Sequence, residues 1–303
     1  MVKTSVRELR VKIFKFPLST FNFPLSTTEV FIMSNRPIGV FDSGLGGLTA
    51  VKQLHSLMPC EDIIYFGDTG RVPYGNRSVE TIKRYAAQDA RFLLSHNVKM
   101  VIAACGTVSS TASNELNEML NVPYINVIAP TAAAAAQATK NGKIGVIGTR
   151  ATILSSAYKK ALEKTDPSLK IFQRECPLFV PLVEEGFISP EDPIARLTVE
   201  RYLKEFKDNG VDTIILGCTH YPILKPVIGE YVGMDVVLID SGKETAKCAA
   251  AVLTENCLLN DHERSGECKF FVSDRTEGFS NIASIFLNSN IGENVSRVDI
   301  QKY

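Results

Sequence analysis

Short apolar segments alternate along most of the chain with segments whose apolar residues recur at helical spacing. The apolar segments are "IGVF" (38–41), "IIYFG" (63–67), "MVIAA" (100–104), "YINVI" (124–128), "IGVIG" (144–148), "TIILG" (213–217) and "VVLID" (236–240). Between them, Val79, Ile82, Ala86, Ala90 and Leu93 follow a helical period, as do Val199, Leu203 and Phe206. Strand and helix repeated in this order predict an α/β fold with mainly parallel sheets flanked by helices. Such sheets bind ligands beyond the carboxyl ends of their strands.

Two parts of this pattern repeat, which predicts two similar lobes. The tripeptide "IGV" begins at Ile38 and again at Ile144, and an apolar run ends in a cysteine, with a threonine just beyond, at Cys105 and at Cys218. The spacing of the two pairs is similar. We therefore predict a first lobe of residues 35–131 plus 241–303, a second lobe of residues 132–240, and a cleft between them that both thiols face.

The first 32 residues have a different character. "FKFPLST" (14–20) is followed directly by "FNFPLST" (21–27), a tandem repeat without strand or helix period, and Met33 stands just before "SNRPIGVF". We predict that residues 1–34 form a disordered N-terminal extension. Residues 1–32 would then be dispensable, or an artefact of the choice of start codon.

Composition argues against several classes of function. Lys+Arg and Asp+Glu number 33 each, so no overall charge favours nucleic acid or a membrane surface. No apolar segment approaches the about 20 residues that span a bilayer. The seven cysteines are scattered and odd in number, which is typical of reduced cytoplasmic proteins. A C-terminal group of cysteines and one histidine lacks a C-x-x-C pair, so we expect no metal site there (Cys248, Cys257, His262 and Cys268).

Cys105 and Cys218 are the leading candidates for catalysis. A single cysteine that ends a strand is usually a small buried apolar residue, but here the pattern occurs twice. Unpaired amides at a helix start favour the thiolate, so we expect a pKa for Cys105 lowered from about 8.5 toward neutrality. Two thiols on opposite sides of one carbon suit inversion of a stereocentre, because one removes a proton while the other delivers one. Thr107 and Thr219, with neighbouring amides, would bind the carboxylate of an amino acid.

Other segments supply candidate binding residues. In "IGVFDSGLGGLTAVKQL" (38–54), Asp42 and Ser43 lie between a strand and a helix, in a loop suited to an anion or an ammonium group. A dinucleotide site is the alternative, with Gly44, Gly46 and Asp68 as its fingerprint, but Thr49 replaces the last glycine and Asp42 would repel a pyrophosphate.

Two further groups complete the predicted site. Tyr74 and Gly75 lie in a Pro-containing turn that would present a phenol and a closely approaching backbone. His220 would accept a proton beside Cys218, and Glu184 would hydrogen-bond the imidazole.

The ordered motifs "FDSGLGGLTAVKQL", "YFGDTGRVPYG", "GVIGTRATI", "CPLFVPLVEEG" and "LGCTHYPIL" resemble those of the glutamate racemases over Pro37 to about Phe286. The histidine of "GCTHYP" resembles these enzymes more than the related aspartate racemases. The resemblance implies a cytoplasmic, cofactor-independent homodimer that supplies D-glutamate for peptidoglycan. It implies that Cys105 handles the α-proton of D-glutamate and Cys218 that of L-glutamate. The implied substrate-lining residues are Asp42, Ser43, Tyr74, Gly75, Gly106, Thr107, Thr219 and His220, with Glu184 supporting His220.

One residue departs from the family pattern. The family usually has "CNT" after the first strand, whereas this chain has "CGT", with Gly106 in the place of an asparagine amide. Loss of one such hydrogen bond costs on the order of 1–3 kcal/mol. We expect weakened turnover or affinity, and Gly106→Asn should then raise kcat/KM. Two alternatives stay open: racemisation of aspartate or another acidic amino acid, and a catalytically silent glutamate-binding protein.

Overall fold

A computed structural model describes residues 34–260, 263–277, 279–287 and 295–303. Apart from Ser34, the predicted N-terminal extension therefore lies outside the described residues, as does His262. The strands are β1 (Ile38–Asp42), β2 (Ile63–Gly67), β3 (Met100–Ala103), β4 (Tyr124–Asn126), β5 (Lys143–Gly148), β6 (Lys170–Glu175), β7 (Thr213–Leu216), β8 (Val237–Asp240), β9 (Cys268–Val272) and β10 (Val295–Arg297).

Helices follow most of these strands. They are α1 (Leu48–Leu57), α2 (Val79–Ser95), α3 (Gly106–Thr111), α4 (Ser113–Met119), α5 (Ile128–Ala138), α6 (Arg150–Ser155), α7 (Ala157–Thr165), α8 (Phe179–Glu184), α9 (Pro193–Asp208), α10 (Lys225–Val232), α11 (Ser241–Glu255) and α12 (Phe279–Leu287). Side-chain caps fix several starts: Ser78 accepts from the Thr81 amide at α2, and Asp240 accepts from the Lys243 amide at α11. Among the described residues, no helix has the length and apolar character needed to cross a membrane.

The strands form two parallel sheets, which confirms the predicted two-lobed α/β fold. The first sheet has the order β10-β9-β2-β1-β3-β4, and the second has the order β6-β5-β7-β8. β1 pairs with both β2 and β3, and β5 pairs in the same way with both β6 and β7. The four strands common to both lobes thus have one order, β2-β1-β3-β4 and β6-β5-β7-β8, and all of them run parallel. The side on which the chain adds its next strand reverses between β1 and β3 and between β5 and β7. Such switch points are where open parallel sheets bind ligands.

The burial of the strands helps to explain which of them could be predicted from the sequence. β1, β2, β3 and β7 are buried at every position, because helices cover both sheet faces. β6, β9 and β10 were not among the predicted strands. β6 is a sheet edge with exposed ends and polar positions, so it lacks a continuous apolar run.

Two helices connect the lobes. α11 packs on α1 of the first lobe, where Gly242 lies so close that a Cβ would be 3.2 Å from the Ala50 Cα. α5 packs on β7 and β8 of the second sheet and also contacts α11. The boundary predicted after residue 131 falls inside α5, so we place it before Ile128.

Candidate active site

Cys105 and Cys218 occupy equivalent positions, each separated by one residue from the end of its strand, β3 and β7 respectively. Both are buried, Cys105 with 4% of its surface exposed and Cys218 with 7%. Gly106 follows Cys105 and Gly217 precedes Cys218, and these two glycines meet across the cleft. A Cβ built on Gly106 would lie well under 3.0 Å from the Gly217 carbonyl oxygen. The backbones beside the two thiols are therefore in contact.

The surroundings of Cys105 favour the neutral thiol, which corrects the sequence-based expectation of a lowered pKa. Its Sγ donates a hydrogen bond to the Ser43 Oγ at 3.4 Å. Burial and the nearby charge of Asp42 raise the pKa of Cys105 to about 12, although hydrogen bonds from Ser43 and the Val108 amide act in the opposite direction. The expectation considered the amides at the start of α3 but not burial or the carboxylate.

Cys218 is the first member of a chain that ends on α8. The Cys218 Sγ lies 3.9 Å from the His220 Nδ1, and the His220 Nε2 lies 3.0 Å from the Glu184 Oε1. Burial alone would lower the pKa of His220, but hydrogen bonds to Cys218 and Glu184, followed by the charges of Cys218 and Asp42, outweigh it and raise the pKa to about 10. A protonated imidazole therefore lies beside the Cys218 sulfur.

Asp42 ends β1 between these two groups. Its Oδ2 accepts hydrogen bonds from the amides of Gly44 at 3.2 Å and Gly47 at 3.0 Å. Burial raises the pKa of Asp42, whereas the charge of His220 and the loop amides lower it. Its Oδ1 is buried, and no donor among the described residues bonds it. A buried acceptor of this kind suits a cationic group of a ligand.

The same contacts argue against the dinucleotide alternative. The loop amides that would hold a pyrophosphate are directed to the Asp42 carboxylate. Asp68, the acidic residue of that fingerprint, is fully buried and ion-paired with Arg71, whose Nε lies 2.5 Å from the Asp68 Oδ2. Neither group is free for a nucleotide.

Tyr74 has a different orientation from the one the sequence suggested. Its hydroxyl donates to Asp68 and lies 3.0 Å from the Asp89 Oδ2, so the phenol is bound within the first lobe. Gly75 approaches the second lobe, where a Cβ would lie 3.3 Å from the Thr149 Cβ. The backbone at Gly75, and not the Tyr74 hydroxyl, thus borders the cleft.

Threonine hydroxyls connect the two lobes across the cleft. The Thr107 Oγ1 lies 3.0 Å from the Thr149 Oγ1, which lies 3.0 Å from the Thr152 Oγ1. On the other side, the Thr49 Oγ1 donates to the Thr219 carbonyl oxygen at 3.2 Å. Thr107 and Thr219 were predicted site residues.

Thr149 and Thr152 were missed, although the internal repeat contains the signal for them. Alignment of "IGVFDS" (38–43) with "IGVIGT" (144–149) places Thr149 opposite Ser43. Ser43 follows β1 and Thr149 follows β5, the first strand of each switch point. The Ser43 hydroxyl contacts Cys105 and the Thr149 hydroxyl contacts Thr107, both in the segment after β3. Extending the repeat beyond the tripeptide would have identified Thr149.

The cysteines near the C-terminus lie apart from this site. Cys248 is buried in α11, Cys257 is exposed, and Cys268 begins β9. In the part of the chain that the structure describes, no three His, Cys, Asp or Glu side chains are grouped closely enough to hold a metal ion.

The site as a whole suits a small zwitterion. Asp42 offers a carboxylate oxygen for an ammonium group, and the threonine hydroxyls and loop amides offer donors for a carboxylate. Cys105 and Cys218 come from different lobes, and the backbones beside them meet at Gly106 and Gly217. The arrangement can exchange protons on both faces of the carbon between those two groups.

Comparison with known proteins identifies the family of the chain. Residues 49–249 match the model of the Asp/Glu/hydantoin racemase family. A glutamate racemase of Geobacter metallireducens is 46% identical over 258 residues, which cover 85% of this chain and 95% of that protein.

Solved structures show the same similarity. The glutamate racemase of Francisella tularensis in complex with D-glutamate has a TM-score of 0.82 and 41% identity, covering 89% of this chain and 100% of that one. The glutamate racemase of Thermus thermophilus in complex with β-chloro-D-alanine has a TM-score of 0.80 and 42% identity, covering 89% of this chain and 99% of that one.

Proposed function

The chain belongs to the Asp/Glu/hydantoin racemase family and is an amino acid racemase of the glutamate racemase type, and from that premise we propose that it interconverts L- and D-glutamate by proton transfer to and from two opposed cysteine thiols. The observation that carries the proposal is the backbone contact between Gly106 and Gly217, the chain neighbours of Cys105 and Cys218. This contact supports a cleft that both thiols border.

The residues divide the work of each turnover. The Cys218 thiolate, beside the His220 imidazolium, takes the α-proton of L-glutamate, and the Cys105 thiol delivers its proton to the opposite face. When D-glutamate dissociates, Cys105 is the thiolate and Cys218 is the thiol. The substrate has lost one proton to Cys218 and gained one from Cys105. The reverse reaction begins from that state. The assignment of Cys105 to D-glutamate and Cys218 to L-glutamate follows the resemblance to the family.

Binding of the substrate makes these transfers easier. The ammonium group beside Asp42 offsets the negative charge that disfavours a Cys105 thiolate. Hydroxyls of Ser43, Thr107, Thr149 and Thr219, with the backbone at Gly75, would hold the carboxylates and stabilise charge at the deprotonated α-carbon.

The resemblance also implies the setting of the reaction. We propose a cytoplasmic homodimer that needs no added cofactor and supplies D-glutamate for peptidoglycan.

Circular dichroism of L-glutamate incubated with the protein tests the activity. The signal should decay to zero as the enantiomers equilibrate, and Cys105→Ser and Cys218→Ser should each prevent the decay. An unchanged signal with bound glutamate would support the silent binding protein instead. Faster exchange of the α-proton of D-aspartate than of D-glutamate would support the other acidic substrate.

A further inference from the structure

Position 106 has no room for a side chain. Gly106 begins α3, and the direction in which a Cβ would extend is filled by the Gly217 carbonyl oxygen, well inside the 3.0 Å that Cβ atoms keep from other atoms. The obstacle is backbone, held by the hydrogen bond from the Gly217 amide to the Ile147 carbonyl oxygen at 2.8 Å. It cannot rotate away as a side chain would.

The internal repeat shows the same close approach on the other side of the cleft. Gly46 follows β1 and meets the Thr219 hydroxyl and the His220 ring, again too closely for a Cβ. Thr152, the counterpart of Gly46 in the repeat, faces Gly106, whose Cβ would lie 3.6 Å from the Thr152 Oγ1. At each of these two contacts between the lobes, a glycine of the first lobe thus packs against a threonine of the second.

We propose that Gly106 is a positioning residue that sets the separation of the two thiols by letting the lobes meet backbone to backbone. The inference deepens the proposed function and rests on it. Gly106 and Gly217 are bonded to Cys105 and Cys218, so any widening of their contact moves the two sulfur atoms apart. Gly106→Asn, expected from the sequence to restore a hydrogen bond, should instead lower kcat/KM.

Racemisation is sensitive to this separation because it needs both sulfur atoms at one carbon. Reacting atoms must approach within about 3–3.5 Å, and a misplacement of about 1 Å can cost about 100-fold in rate. A reaction that needs only one thiol tolerates the widening better. The two kinds of reaction therefore separate a change in thiol spacing from general damage to the site.

Gly106→Ala introduces only the Cβ, and Gly229→Ala is its matched control. Gly229 lies in α10 with no atom within 4 Å of an added Cβ. Racemisation of glutamate reports on both thiols. Loss of HCl from 3-chloroglutamate reports on one thiol: a thiolate takes the α-proton, the electron pair forms a double bond, and chloride leaves. Water then converts the product to 2-oxoglutarate and ammonium.

We expect Gly106→Ala to lower the racemisation kcat by about 10- to 100-fold, with a smaller change in KM. Elimination of HCl should fall far less, and Gly229→Ala should match the unaltered protein in both reactions. Unchanged racemisation in Gly106→Ala, or an equal fall of both reactions, would overturn the role of Gly106. Absence of racemisation by the unaltered protein would instead refute the proposed function.

Gly75→Ala keeps the inference testable if Gly106→Ala does not fold. Gly75 lies on the same cleft, and its Cβ would press on the Thr149 side chain at 3.3 Å, which can yield. This variant should show a smaller loss of racemisation with elimination retained. Unimpaired racemisation by Gly75→Ala would then count against control of thiol spacing by these glycines.

Discussion

Asp42 influences the protonation of groups in both lobes. Its charge contributes to the raised pKa of Cys105 and to the raised pKa of His220. The first effect keeps Cys105 a thiol, and the second keeps a cation beside Cys218. A single carboxylate thereby favours the neutral thiol of Cys105 in one lobe and the protonated imidazole of His220 in the other.

Asp42→Asn should lower the pKa of Cys105, because it removes a nearby negative charge. Each unit of that fall raises the thiolate fraction about tenfold, so iodoacetamide should alkylate Cys105 faster at a fixed, mildly alkaline pH. The measurement uses a Cys218→Ser background. It follows the peptide containing Cys105 by mass spectrometry, because the exposed Cys257 will be alkylated as well.

Ser43→Ala is the matched control, because it should change the rate of alkylation in the opposite direction. The Ser43 hydroxyl lowers the pKa of Cys105, so its removal should slow alkylation. Equal or slower alkylation in Asp42→Asn than in the background protein would show that the charge of Asp42 does not act on Cys105 as described.

Site residues were predictable from the sequence where a local sequence pattern identifies them. Cys105 and Cys218 follow apolar runs, and Asp42 follows the first strand of the repeat. The direction of the Cys105 pKa was not predictable, because burial and the position of Asp42 depend on folding. The orientation of Tyr74 depends in the same way on Asp68 and Asp89, which are distant from one another in sequence.

At the scale of elements, a buried ionic network holds the turn that borders the cleft. The Arg71 Nη2 lies 2.8 Å from the Asp89 Oδ1, and Tyr74 bonds both Asp68 and Asp89. Burial and the charge of Asp68 raise the pKa of Asp89 well above its ordinary value, while Arg71 lowers it. This network places Gly75 against the second lobe.

Tyr74→Phe should destabilise the protein by about 1–3 kcal/mol, because it leaves buried carboxylate oxygens with one donor fewer. Urea unfolding measures the change. Tyr85→Phe is the control, since its ring stacks 5.4 Å from Tyr74 and 4.0 Å from the Arg71 guanidinium and would be kept. An equal effect of the two substitutions would mean that the Tyr74 hydroxyl contributes nothing specific.

The predicted strands were those with an uninterrupted apolar run, whether central like β2 or at a sheet edge like β8. Residues 63–67 were predicted and observed as β2 without change, whereas β6 and β10 lie at sheet edges and have no uninterrupted apolar run. β9 joins the first sheet beside β2 after a long excursion of the chain through the second lobe. Local periodicity carries no information about that pairing.

At the scale of the whole molecule, the first described residue is already tied to the core. The buried Lys99 Nζ donates to the Ser34 carbonyl oxygen at 2.7 Å and to the Leu258 carbonyl oxygen at 2.8 Å, and lies 2.6 Å from the Glu61 Oε2. Lys99 thereby connects Ser34 with the segment after α11.

Deletion of residues 1–32 should leave both kcat/KM and the free energy of unfolding unchanged, because Ser34 and its contact with Lys99 remain. Deletion of residues 1–35 should destabilise the protein by about 1–3 kcal/mol, since the buried ammonium loses one acceptor. Loss of catalysis in the shorter deletion would contradict the prediction that residues 1–32 are dispensable.

Deuterium incorporation is the most direct test of a mechanism with two opposed thiols. The protein is incubated with L-glutamate in D2O, the enantiomers are separated early in the reaction, and proton NMR measures the α-position of each. Two thiols predict that the D-glutamate formed carries deuterium from the solvent-exchanged Cys105, while unreacted L-glutamate keeps its proton. Equal deuterium in both enantiomers from the first time points would show that one group serves both faces, and would contradict the account.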